Sequence, residues 1–255
     1  MNASGRVIED LRALYPRLAE GDMAAVGIFG QKATVDSPLG GKQQPAEFVA
    51  ETRAWLTEHN AHSDAVHDVV TPGRAIHELL LHLTIDNQER ELPVMLVADL
   101  ADDRIRDLRV YHSTWPITGS HILRPPIMQY DLTEKPAEPV GAYHEALAKG
   151  DAAAADAVFE ADAYVREPAG GEWIHYGSDR TKWYRDVLSL GPIVLHLGTI
   201  TDDGETVVYE YMADFWGGPM PAQAGAAAYQ RGASGELVAA RIYDDVQPPA
   251  ALGDV

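Results

Sequence analysis

Cysteine is absent from the chain, which excludes disulfides and thiolate chemistry and removes any need for an oxidising compartment. Long apolar runs are absent too, and none approaches the roughly 20 residues of a membrane-spanning helix. Basic residues are scarce: 20 Lys and Arg stand against 39 Asp and Glu, a formal charge of −19. Such a field repels nucleic acid and anionic lipid, because phosphate binding needs clustered Lys and Arg. Neither nucleic acid nor membrane is therefore an expected partner. The first residues, MNASGRVIEDLRALYPRL, have no compact apolar stretch after a basic start, so no secretory leader is expected and a cytoplasmic location is. GxGxxG, GxxxxGKS/T, GxSxG and HExxH are missing, which leaves phosphate cradles, nucleophile elbows and helical zinc sites without a signature. His59, His62 and His67 are close in sequence, but their spacing fits no helix face. Neither a metal nor a cofactor is expected.

What is present is repetition. LAEGD at 18–22 returns as LAKGD at 147–151, VDSPLGG at 35–41 as VREPAGG at 165–171, HELLLHL at 77–83 as YEYMADF at 209–215, and LRVYHS at 108–113 as ARIYDD at 240–245. The offsets stay between 129 and 132, and matches in one order at one spacing mark a duplicated domain. The expected division is a first domain over 1–115, a proline-rich connector over 116–136 and a second domain over 137–250. The apolar residues Ile122, Leu123, Ile127 and Met128 suit a connector that packs along a domain.

Each half reads in the same order. A helix (5–19 and 138–148) ends at Gly21 or Gly150, and Asp22 or Asp151 caps a short second one. A strand carrying the VxxPxGG phrase follows, then a helix (45–58 and 178–189). The half closes with strands over 75–85, 92–99 and 104–113, or over 193–200, 206–216, 225–231 and 236–245. Helices first and an antiparallel meander after give an α+β class.

YHEALAKGD at 143–151 followed by YVREPAGG at 164–171 resembles the opening of the ketosteroid isomerases, within the nuclear transport factor 2-like, SnoaL-like superfamily. That resemblance, carried across both halves, implies two tandem cones, each a curved antiparallel sheet around about three helices with a ligand pocket in its mouth. Polyketide cyclases and limonene-epoxide hydrolases are of the same type. It implies that Glu167 stands at the family's general base and Tyr143 at its oxyanion-hole tyrosine, a mechanism in which a carboxylate moves a proton while hydroxyl and carboxylic acid stabilise an enolate. The family's further carboxylic acid falls near Ala226–Ala227, so the full apparatus does not carry over. In the first half, Ser37 takes the base position and Leu14 the tyrosine position. Because single-domain members of that superfamily often pair as homodimers, the resemblance implies an internal pseudo-dimer, with further dimerisation open.

Alternation puts Glu210, Met212, Asp214 and Trp216 on one strand face, and Glu78, Leu80, His82 and Thr84 on the equivalent face of the first half. Turned into the cone, Glu210 and Asp214 supply acid above Trp216, and Glu78 and His82 do likewise. Turned outward, they are solvated, and Tyr209, Tyr211, Ala213 and Phe215 line the cone. His112 and Asp244 correspond at the end of the last strand, where a histidine can shuttle protons.

The expected function is a cofactor-independent acid–base enzyme for a small apolar organic molecule, an isomerase or polyketide-cyclase-like ring closure. Glu167, Tyr143, Glu210 and Asp214 are its catalytic candidates. Trp216, Met212, Tyr211, Asp244, Glu78, His82 and His112 are its substrate-binding candidates. Two alternatives stand beside it: an epoxide hydrolase or cyclase using paired carboxylates, and a small-molecule-binding module without catalysis.

Overall fold

Val7, Leu11, Leu14 and Leu18 recur at helical spacing, and all four are almost fully buried. They make one face of α1 (Ala3–Ala19) the floor of the first core. A computed structural model describes residues 3–130, 136–169 and 173–249, so Gly170 and Gly171 of the repeated phrase lie outside the described residues. Two compact units appear, Met1–Ile122 and Leu123–Val255. The connector read at 116–136 divides between them.

In the first unit, α1 ends at Gly21 (φ +85°), and Asp22 accepts from the Ala24 amide to start a 3-10 turn over Met23–Ile28. β1 (Phe29–Ser37) and β2 (Gly41–Gln43) form a hairpin, and α2 (Pro45–Glu58) follows with Pro at its first turn. The sheet is completed by β3 (His62–Thr71), β4 (Arg74–Ile85), β5 (Gln88–Ala101) and β6 (Arg104–Tyr111). The short α3 (Trp115–Thr118) comes after it.

The second unit repeats this. α4 (Val140–Lys149) ends at Gly150 (φ +68°), and the Asp151 carboxylate caps α5 (Ala152–Ala157) through the Ala154 amide. β7 (Phe159–Arg166), β8 (Ile174–Tyr176) and α6 (Gly177–Ser189) follow. β9 (Ile193–Asp202), β10 (Thr206–Trp216), β11 (Pro219–Arg231) and β12 (Leu237–Tyr243) close the unit. The strand orders are β2-β1-β6-β5-β4-β3 and β8-β7-β12-β11-β10-β9, the same permutation twice. The α+β class read from the sequence is the observed one.

Two features differ from the expectation. β3 (His62–Thr71) is not among the strands read from the sequence. It pairs along its whole length with β4, since an edge strand tolerates polar side chains. The meander is also not purely antiparallel. β1 pairs parallel with β6, and β7 with β12, so each sheet is mixed. Such pairings join the ends of a unit and leave no local signal.

In both sheets the side packed on the helices is the apolar one. In the first it is almost wholly aliphatic: Leu79, Leu81, Val94 and Leu96 meet Leu11, Leu14 and Val49. In the second, Tyr143, Tyr184, Tyr209, Tyr211 and Tyr229 replace much of that aliphatic filling. Met128 and Tyr130 lie over Gly198 of β9, and the Ala224 amide donates to the Arg124 carbonyl, so this part of the connector packs along the second sheet. No helix among the described residues is long and apolar enough to cross a membrane.

Candidate functional site

Val165 is fully buried among the helices' side chains. Alternation along β7 therefore turns Arg166 to the other face and brings Glu167 back to the helix side. Arg166 donates to the Tyr243 hydroxyl, with its guanidinium 5.3 Å from that ring. Glu167 does not pair with its neighbour. Its Oε1 lies 2.6 Å from Nε2 of His175, which stands directly across from Val165 on β8. The other ring nitrogen, Nδ1, lies 2.8 Å from Oδ2 of Asp179 in the first turn of α6. Trp183, one turn on, stacks over the imidazole at 5.2 Å and 18°.

α6 is held in place from below. Arg180 is 4% exposed and donates to Asp156 and to the carbonyls of Glu160 and Ala163, while Thr181 donates to the second Asp156 oxygen. A buried guanidinium with that many acceptors is satisfied, and it fixes the helix that carries Asp179, Trp183 and Tyr184. Burial alone lowers the pKa of His175. Hydrogen bonds and charge from Glu167 and Asp179 outweigh burial and raise it above the usual imidazole value.

Tyr143 is 3% exposed on α4 and accepts a hydrogen bond from the Tyr184 hydroxyl at 3.1 Å. Its own O–H proton meets no acceptor among the described residues. Burial pushes its pKa up to about 12, against a smaller lowering by the Tyr184 hydrogen bond, which keeps it a donor at neutral pH. Phe159, Tyr184 and Tyr229 surround its ring edge-on at 5.5–6.0 Å.

Tyr209 and Tyr211 share the helix side with Tyr143, whereas Glu210, Met212 and Asp214 lie on the opposite face. Glu210 is 1% exposed and accepts from Thr199. Asp214 lies 2.9 Å from His196 Nε2. Trp216 does not stay with them, contrary to simple alternation. The ladders on both sides of β10 shift register between Ala213 and Phe215, and this bulge returns Trp216 to the helix side, its indole N–H directed at the Val187 carbonyl. In the first unit Glu78 and His82 likewise lie away from the helices. His82 approaches Asp64 at 3.1 Å and stacks on His62 at 4.7 Å. His112 is buried, with Nδ1 2.9 Å from the Ser113 carbonyl. His59 caps the end of α2, and His62 and His67 lie on β3.

The sequence offered no acid at Ala226–Ala227, and those two residues are plain strand alanines. The acid on the helix side is Asp244, just past β12, which accepts from the Tyr211 hydroxyl. Gly225 makes the room: a Cβ there would lie 2.5 Å from the Tyr211 ring and 2.8 Å from the Asp244 Cβ. Also unforeseen is His144, whose Nε2 lies 2.9 Å from the Tyr229 hydroxyl. Burial lowers its pKa to about 3, so it is neutral. His175 and Asp179 are also absent from the sequence reading, because one lies on β8 and the other on α6 and only the turn between them brings the two together. Arg180, Trp183, Tyr184 and Tyr229 are likewise absent from the sequence reading.

No family model matches the chain, and no curated protein matches it. Solved structures that resemble it match over less than half of this chain. An LEH-like epoxide hydrolase of M. tuberculosis is 14% identical, covers 46% of this chain and 90% of its own, and has a TM-score of 0.39. A SnoaL-like candidate polyketide cyclase from Jannaschia sp. CCS1 is 10% identical over 44% of this chain and 88% of its own, with a TM-score of 0.39. A protein with a ketosteroid isomerase-like fold from Catenulispora acidiphila DSM 44928, in complex with trimethylamine, is 14% identical over 44% and 90%, again with a TM-score of 0.39.

Proposed function

We propose that the second unit is a cofactor-independent acid–base catalyst acting on a small, mostly apolar carbonyl compound, by isomerisation or aldol-type ring closure. The carrying observation is that Glu167 and Tyr143 share the helix side of one sheet, with a hydroxyl proton left over on Tyr143. Glu167 takes a proton from the carbon beside the carbonyl, the carbonyl oxygen becomes an enolate, and Tyr143 donates to it. Tyr184, donating to Tyr143, strengthens that donor. The same carboxylic acid, now protonated, returns its proton to carbon and completes an isomerisation with no net change in protons. The five tyrosines give a ligand aromatic walls with polar edges, which suits a flat, oxygenated ring system.

The epoxide reading called for Glu167 together with Glu210 or Asp214, and those side chains are on opposite faces of the sheet. The first unit offers aliphatic side chains where the second offers tyrosines, which supports a structural role for it.

The test is the conversion of a cyclic β,γ-unsaturated ketone to its conjugated isomer, together with binding of 2-naphthol as an enolate mimic. Glu167→Gln is expected to slow conversion at least about 100-fold, and Tyr143→Phe to do so about tenfold or more. A wild-type chain that neither accelerates the conversion nor binds the naphthol sinks the reading.

A further inference from the structure

The group of Glu167, His175 and Asp179 has a counterpart without histidine in the first unit, and the comparison isolates what the second unit gained. Gln43 stands across from Val35 on β2, as His175 stands across from Val165 on β8. Ser37 and Glu167 each follow two residues after those valines. Glu47 and Asp179 each occupy the third position of the next helix. In the first unit Ser37 Oγ accepts from the Gly40 amide at 3.1 Å and from Gln43 Nε2 at 3.4 Å. Glu47 turns back to accept from the Gln44 amide. The turn is thus closed without a histidine or a carboxylate bound to one, so the charged version in the second unit is not required by the fold.

We infer that His175 is a positioning residue for Glu167. It occupies Oε1 and leaves Oε2, which has no hydrogen-bond partner among the described residues, as the oxygen that takes a proton from a ligand. The inference rests on the acid–base reading for its purpose, and on geometry alone for the clamp. A carboxylate at a strand end turns about its last bonds and presents either oxygen; one held by a fixed donor presents a single oxygen in a single direction, which is what proton transfer from carbon requires. The donor here is fixed from three sides, by Glu167 on Nε2, by Asp179 on Nδ1 and by the face of Trp183. Among the described residues, no other titratable group contacts the ring. An imidazolium donates from both nitrogens and satisfies both carboxylates at once, whereas the neutral ring satisfies only one. Asp179, with 63% of its side chain exposed, keeps the second nitrogen bonded while reaching solvent.

Two measurements on the full chain test this. Nitrogen-15 NMR of labelled histidines follows the titration of His175 in the wild type, in Glu167→Gln and in Asp179→Asn; the surface position of Asp179 makes the last variant safe for folding. Both substitutions are expected to lower the His175 midpoint, and an unchanged midpoint in Glu167→Gln overturns the clamp. With the cyclic ketone as probe, His175→Gln is expected to lower kcat about tenfold with KM within about twofold, and to change the alkaline limb of the pH profile. Unchanged kcat and profile also overturn it. Failure of the two ideas is distinguishable. A lowered midpoint with a fully active Glu167→Gln chain leaves the clamp standing and sinks the acid–base reading, whereas an unchanged midpoint with an inactive one does the reverse.

Discussion

Glu167 Oε1 lies 2.6 Å from His175 Nε2, while the equivalent pair in the first unit, Ser37 and Gln43, meets at 3.4 Å with no charge on either side. One backbone turn thus carries a histidine–carboxylate pair in one copy and a serine–glutamine hydrogen bond in the other.

The raised pKa of His175 makes stability depend on pH. The folded-state pKa of His175 is raised above its unfolded value, so its contribution is fully present below about pH 6.5. It is lost as pH rises through the folded value. The difference in urea midpoint between wild type and His175→Gln is expected to be larger at pH 6 than at pH 9. Equal differences would show that the ring is not held as an imidazolium.

His144 behaves in the opposite sense. Its folded-state pKa is lowered to about 3 by burial, so its contribution is present above about pH 6.5 and lost as pH falls toward 3. Each pH unit in that window costs at most about 1.4 kcal/mol. Urea midpoints at pH 7 and pH 4 are expected to drop more steeply in the wild type than in His144→Gln.

Tyr184→Phe removes the hydrogen bond to Tyr143 and keeps the ring in the core. A loss of about 1 kcal/mol is expected from the missing bond, measurable by chemical denaturation. Because the Tyr184 hydrogen bond lowers the Tyr143 pKa, the variant is expected to bind 2-naphthol more weakly. Unaltered naphthol affinity would separate Tyr184 from the site.

Gly225→Ala places a methyl group against Tyr211 and Asp244. Such overpacking costs about 1–3 kcal/mol, and the Tyr211–Asp244 hydrogen bond is expected to break with it. Thermal melting gives the cost, and near-ultraviolet circular dichroism reports the tyrosine change. A melting point equal to the wild type would place the strand further from Tyr211 than described.

The order of elements was legible because it is encoded locally. Gly21-Asp22 and Gly150-Asp151 stop one helix and cap the next through a few adjacent atoms, and the repeat offset extends that grammar over the whole chain. The α+β class and the duplication follow from such signals. Glu167 and Tyr143 could be singled out as candidates through the resemblance, which rests on their distances from the Gly-Asp and Pro landmarks. Tertiary structure decided the rest. Period-two alternation divides β10 into two faces but does not say which one meets the helices, and a bulge near Asp214 moves Trp216 across. The parallel pairing of β7 with β12, and the approach of Asp244 to Tyr211, join residues distant in the chain. Whether His175 meets Glu167 depends on the register of a three-residue strand. Those contacts are set by packing between elements, a sum over many partners that no short stretch of sequence contains.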